Sequence, residues 1–351
     1  MQIPYKTRRL LRRLGGVALA ALILIVVGWL CWVIWADRYV VDTRDGALLD
    51  IELDAELPPG NVAIPPDDED SISIYFNEGD NTVDTNKEQT QLRGYYIDVT
   101  TLSSTASITA ARERLDKLPA GTAVMIDVKS IKGEFYYQSQ VAGAPMAPVD
   151  LTAAEDLMKQ VIHGDYYAIA RIPAFRDYQF GLNNVPCGIL HKSKKGLWRD
   201  EQNCYWLDPS NTKVLNYIIE IVGELKTMGF DEVVLTDFRV PTSEILIYTK
   251  DRSEVITKAV EVLIANCSSD GYPLSFAISN SAFPLPDGKS RLYLEGVSAS
   301  GVGATAAQAV ITNPEVRLVF VTSTNDTRYD QYGVLRPLES ADVLEQQEEE
   351  S

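Results

Sequence analysis

GFDEVVLTDFRVP, from Gly229 to Pro241, is the stretch on which the fold turns. It reads as the end of a helix at Gly229, then an apolar run that carries charge into a buried strand and stops at a proline. Successive strand residues alternate between faces, so Val233, Leu235, Asp237 and Arg239 share one face and Val234, Thr236 and Phe238 the other. Strands of an all-parallel sheet are apolar on both faces, which leaves Asp237 and Arg239 to be explained. In a closed α/β barrel, catalytic and binding groups collect at the C-terminal strand ends. A buried structural ion pair, or two groups solvated at the strand end, would also account for them.

Outward from this stretch, strands and helices alternate. Towards the N-terminus lie the strands Arg93 to Thr100, Ala123 to Lys129 and Asp165 to Ile172, and the helices Ile108 to Lys117 (with Ser107 as its cap), Leu151 to Ile162 and Asn211 to Met228. Towards the C-terminus come a helix from Arg252 to Asn266 and a fifth strand from Tyr272 to Ser279. Strands at Arg291 to Val297, Val316 to Thr322 and Val334 to Pro337 follow, with a short Ala-rich helix near Ala304 to Val310. Such alternation means βαβ units and a parallel sheet. The count fits an α/β fold of the (β/α)8 TIM-barrel type over residues 91–338, shortened or irregular in its last third. A doubly wound open sheet is the alternative, but it usually has a glycine-rich turn after its first strand, and IDVTTLSS has none.

The same alternation assigns faces in the neighbouring strands. Tyr96 pairs with Asp98, Met125 with Asp127 and Lys129, and Tyr167 and Ile169 with Arg171. Four adjacent strands would thus send Asp98, Asp127, Lys129, Arg171, Asp237 and Arg239 towards one mouth, with signs that nearly cancel, as a buried cluster requires. A purely structural network is the competing reading. A long excursion after the third strand adds Phe175, Arg176 and Asp177, then GLWRD (Gly196 to Asp200) and CYWLDPSN (Cys204 to Asn211). Trp198, Tyr205 and Trp206 are candidates to stack on sugar rings, or equally to plug the loop onto the barrel; Asp208 could be no more than a helix cap.

The chain has 351 residues and a formal net charge of -17, which argues against a nucleic-acid partner because phosphate binding needs concentrated Lys and Arg. Two histidines, His163 and His191, sit in no zinc-binding spacing, and neither metal nor cofactor is expected. Residues 1–13 are basic (Lys6, Arg8, Arg9, Arg12, Arg13) and precede an apolar run at 14–36, about 23 residues, enough to span a bilayer. With Trp29, Trp32 and Trp35 towards its far end, this reads as an uncleaved signal anchor with a cytoplasmic N-terminus and the remainder outside, in preference to a cleavable signal peptide. An acidic stalk at 37–90, in which SISIYF (Ser71 to Phe76) could form a short strand, and a charged tail at 339–351 complete the chain. Cys187 and Cys204 flank HKSKKGLWRDEQN, and an oxidising exterior would permit a bridge between them; two free thiols are the alternative.

The order IDVKS…GEFYY, ARIPAFRD, GLWRD, WLDPSN and GFDEVVLTDFRVP resembles a TIM-barrel domain family of bacterial proteins to which glycosyl-hydrolase activity is ascribed by inference; the resemblance runs from about Gln91 to Asn280. Asp127, Arg171 and Trp198 match the family pattern, which has an acid where this chain has Thr236 and an aromatic where it has Asp237. Either the acid has moved by one residue, with a local bulge re-aiming it, or it is lost. The fifth strand, SFAISN, also lacks the acid that the family tends to place near its end. The resemblance implies a glycosidase acting on a polysaccharide or oligosaccharide; the strand faces and the excursion nominate Asp127 and Asp237 as its two carboxylates and Asp98, Lys129, Arg171, Trp198, Trp206 and Arg239 as substrate contacts. A carbohydrate-binding barrel that has lost turnover and an envelope scaffold are the alternatives.

Overall fold

The computed structural model describes residues 22–30, 32, 40–43, 46–49, 90–141, 143–268 and 272–341. Eight parallel strands close into a barrel: β1 (Arg93–Ile97), β2 (Ala123–Asp127), β3 (Tyr167–Pro173), β4 (Glu232–Thr236), β5 (Leu274–Ala277), β6 (Leu292–Glu295), β7 (Leu318–Val321) and β8 (Gly333–Pro337). They pair in chain order, and β8 meets β1 through Val334↔Arg93 to Pro337↔Tyr96. The helices α1 (Thr105–Leu115), α2 (Leu151–His163), α3 (Thr212–Met228) and α4 (Arg252–Cys267) follow β1 to β4. The last third is irregular, as its sequence implies. No helix separates β5 from β6 among the described residues; the expected short Ala-rich helix, at Val302–Gln308, and a helical turn at Pro314–Arg317 lie between β6 and β7, and a turn at Thr327–Gln331 between β7 and β8.

Local chemistry sets the helix ends. The Asn211 side chain accepts the Lys213 N–H at the start of α3. Gly229, at φ 107, then closes the helix in the left-handed region that a side chain disfavours. Between them Val214, Ile218, Ile221, Val222 and Leu225 recur at helical spacing and are buried, each stabilising by roughly 1.5–3 kcal/mol. The cap of α1 is Ser104, which accepts from Ser107, so the helix starts earlier than the expected Ser107 cap implies. Ser104 is extended and its hydroxyl reaches the third amide, whereas Ser107 already lies within the first turn.

Two apolar layers result. Met125, Ile169, Val234, Tyr293, Val319 and Leu335 fill the barrel; Val124, Ile126, Ala170, Val233, Leu235, Phe276 and Phe320 face the surrounding helices. This corrects the face assigned to β4: Val233 and Leu235 point outwards, and the strand's inward face carries Glu232, Val234 and Thr236.

At the N-terminal end of the barrel, Glu232 is fully buried. Its carboxylate accepts from Arg291 Nη1 (2.5 Å), Tyr167 OH (3.0 Å) and Tyr293 OH (3.0 Å). Burial, reinforced by the Glu232 charge, pushes both phenols well above their ordinary range, so they remain donors.

Most of the run at 14–36 lies outside the described residues. Leu22 to Leu30 and Trp32 are helical with exposed apolar side chains. Among the described residues no helix is long and apolar enough to cross a membrane. Within the segment read as a stalk, Val40–Thr43 and Gly46–Leu49 pair antiparallel. SISIYF and the acidic tail from 342 onwards lie outside the described residues.

Candidate active site

The C-terminal ends of the strands bring charge together around Arg171. It points inward from β3, and its Nη2 donates to Asp127 Oδ2 (2.9 Å) at the end of β2 while its Nε pairs with Asp127 Oδ1. Nη1 reaches across the mouth to Glu295 Oε1 at the end of β6 (3.0 Å). The guanidinium lies 5.8 Å from the Tyr96 ring centroid. Asp127 Oδ2 also accepts the Val99 amide (3.2 Å). Burial opposes the charge on Arg171, but the Asp127 carboxylate outweighs it and holds the guanidinium more firmly protonated than usual.

Asp237 reaches the same mouth by leaving the strand. Its φ of 50 is left-handed, an uncommon conformation that Asp tolerates better than most residues. The turn breaks the strand alternation. Phe238 packs outwards against Phe175 and Phe276 (ring centroids 4.6 and 4.8 Å), while the Asp237 carboxylate lies 3.9 Å from Arg176 Nη1. The left-handed turn thus aims Asp237 at the mouth, and Thr236 keeps the inward strand position. Burial raises the Asp237 carboxyl above the usual carboxylate range. Arg176 and Arg239 pull it back without cancelling that rise, and the charges of Glu295 and Asp200 add to it.

The excursion after β3 supplies the rest. Arg176 pairs with Asp200, whose Oδ2 also accepts the Trp206 indole N–H (2.9 Å). Arg176 and Arg239 both stand over the Trp206 ring, at 5.6 and 5.0 Å from its centroid.

Four expected contacts are corrected. Lys129 does not line the mouth: β2 ends at Asp127, and the ammonium turns into a closed cage against Asp177 (2.6 Å), with both side chains fully buried. Asp177 also accepts from Tyr217 OH (2.9 Å) and caps the short helix at Tyr178–Asn183, so the pair fastens the excursion to α3. Gly133, at φ 82, leaves room there, since a Cβ would strike the Asp177 carboxylate. Trp198 and Trp206 are only 8 % and 2 % exposed, so neither offers an open stacking face; both plug the excursion onto the barrel, as does Tyr205. Asp98 sits at the strand end but turns back on the backbone, accepting from the amides and hydroxyls of Thr100 and Thr101. Burial alone would raise its carboxyl, yet those bonds hold it below the usual range. Cys187, Cys204 and Cys267 are buried free thiols, and Cys204 donates to the Ile131 carbonyl (3.0 Å).

Glu295 was not singled out from the sequence. Its signal is its alternation with Tyr293 in RLYLEGV, where it is the charged residue at the inward end of the strand. Arg176 and Asp200 lie in motifs already noted, but nothing in sequence spacing pairs them.

The family described as "Putative glycosyl hydrolase domain" matches residues 94–285, more than half of the chain, and takes in Asp127, Arg171 and Asp237. The chain belongs to that family. Among solved structures, a hypothetical protein from Ruminiclostridium thermocellum is 23% identical, with 52% of this chain and 96% of that one covered at a TM-score of 0.44. An α-galactosidase from Geobacillus stearothermophilus in complex with stachyose is 12% identical, with 74% and 42% covered at 0.47. A chitobiase from Flavobacterium johnsoniae is 11% identical, with 67% and 38% covered at 0.42. The chain therefore spans about two-fifths of the length of these two enzymes. No curated protein matches it. For this family member the barrel mouth is the candidate active site. A cavity of about 790 Å³ lies elsewhere, on the flank between α2 and α3.

Proposed function

We propose that this protein is a glycoside hydrolase held at the outer face of a membrane by its apolar segment at 14–36, and that it cleaves a polysaccharide at the barrel mouth. The observation that carries this reading is the contrast between two carboxyl groups at one mouth. Asp237 is partly buried and displaced towards its protonated form, while Asp127 is gripped through both oxygens by Arg171. Environments that differ in this way assign acid and base roles. Asp237 gives its proton to the glycosidic oxygen as the bond to the anomeric carbon breaks; water then adds to that carbon and returns a proton to the Asp237 carboxylate. Asp127 supplies the fixed negative charge for the developing oxocarbenium ion. Glu295, half exposed and sharing Arg171, is the other carboxylate within reach.

Release of reducing ends from a panel of polysaccharides tests this. Asp237→Asn should lower turnover about 10²- to 10⁴-fold, and Asp127→Asn should do likewise, with the fold intact by circular dichroism. Full turnover in Asp237→Asn would remove it from the mechanism. An inactive Glu295→Gln beside an active Asp127→Asn would move the second role to Glu295.

One observation favours a second reading. With both oxygens of Asp127 engaged and Thr236 at the inward strand position, the mouth suits a barrel that binds carbohydrate without cleaving it. Retention of a glycan with no release would establish that reading instead.

A further inference from the structure

Three arginines converge on the mouth, and they are not equivalent. Arg171 is occupied by Asp127 and Glu295. Arg176 is occupied by Asp200 and by Gln202, whose side-chain oxygen accepts from Nη2 (2.9 Å). Arg239 is exposed, and among the described residues it makes no side-chain hydrogen bond and no ion pair. Its guanidinium carbon stands 5.0 Å from the Trp206 ring centroid, and its charge acts on Asp237, the carboxyl that burial shifts towards the neutral form. A planar fork of donors, fixed on an aromatic ring and left without an acceptor, matches the geometry of a carboxylate or phosphate.

The surrounding loops point the same way. Leu190–His191 pairs antiparallel with Leu246–Ile247, joining the loops after β3 and β4 over the C-terminal face. The turn between His191 and Gly196, which leads out of that pairing, carries Lys192, Lys194 and Lys195 in a protein whose net charge is -17.

We infer that the mouth takes a glycan bearing a negative charge, a carboxylate or a phosphate, and that Arg239 receives that charge in a subsite beside Asp237. This rests on the mouth being a carbohydrate site, as proposed above. It also has a consequence for the reaction. The Arg239 charge opposes protonation of Asp237, and an anion seated on Arg239 would offset that opposition, so the right substrate favours the proton-bearing form of the acid.

Calorimetry on the full chain in detergent tests the inference, using oligogalacturonate against its carboxyl-reduced counterpart and a phosphomannan fragment against its dephosphorylated counterpart. At least one anionic probe should bind about 10- to 100-fold more tightly than its neutral counterpart, with the preference shrinking as salt rises. Which pair shows it distinguishes carboxylate from phosphate. Arg239→Ala should bring the anionic probe down to the affinity of its neutral counterpart measured on the same variant, and Arg239→Lys should keep part of the preference. Equal binding within both pairs, binding of none of the probes, or a preference that survives Arg239→Ala would overturn it. An anionic preference without release of reducing ends would sink the hydrolase reading and leave this one standing. Cleavage of neutral glycans without preference would do the reverse.

Discussion

The two ends of the barrel each enclose an acid, an arginine and a tyrosine, yet they are built to opposite purposes. At the N-terminal end Glu232 meets Arg291, Tyr167 and Tyr293 and is sealed from water. At the mouth Asp127, Arg171 and Tyr96 form a similar set, but Glu295 is half exposed, Arg239 is unoccupied and Asp237 sits in a left-handed turn with a raised carboxyl pKa. A closed network that satisfies its members specifies structure. A network left with an unmatched donor and a perturbed acid has capacity for something else, which is where function in a barrel is expected.

That comparison can be broken from either end. The largest effect should come from Glu232→Ala, which strands a buried guanidinium: a loss of about 3–5 kcal/mol in urea unfolding. A loss below 1 kcal/mol would mean that the sealed network is not structural. Asp127→Ala should cost less, about 1–3 kcal/mol, because Arg171 keeps Glu295 and some access to water. An equal cost at both ends would erase the distinction.

The smallest effect, and the sharpest in sign, concerns Asp237. A carboxyl whose pKa is raised on folding binds its proton more tightly in the native state, so its contribution is present below the unfolded value and lost as pH rises through the folded one. Asp237→Asn removes that loss. Thermal unfolding should show the variant more stable than the parent at pH 7 and indistinguishable at pH 3. Destabilisation at pH 7 would contradict the burial of the acid. At Glu232 no such gain is expected, because neutralising it leaves Arg291 unpaired.

Much of the mouth was legible from alternation along the strands. Asp127 and Arg171 face inwards because β2 and β3 remain regular to their ends, and the rule of two holds for as long as the strand does. It fails where the backbone changes. Lys129 lies beyond the end of β2 and turns into the cage with Asp177, and Asp237 lies beyond β4 in a left-handed turn. The rule put Asp237 on the face of Val233 and Leu235, which proved to be the outer one; the acid reaches the mouth through a φ that no alternation pattern encodes. The tryptophans of the excursion illustrate a different gap. Large aromatic side chains read alike in sequence whether they stack on a ligand or plug a loop, and only their burial separates the two.

By itself the sequence determined the alternation of strands and helices, the closed parallel architecture, the irregular last third and the family, because periodicity and local capping are properties of short segments. The tertiary structure alone decided which β4 face looks inwards, that Glu295 joins Asp127 on Arg171, that Cys187, Cys204 and Cys267 are thiols, and which arginine of the mouth has no side-chain acceptor among the described residues. Each of these depends on what stands across the barrel, more than a hundred residues away along the chain in the case of Arg171 and Glu295, and no local pattern carries that distance.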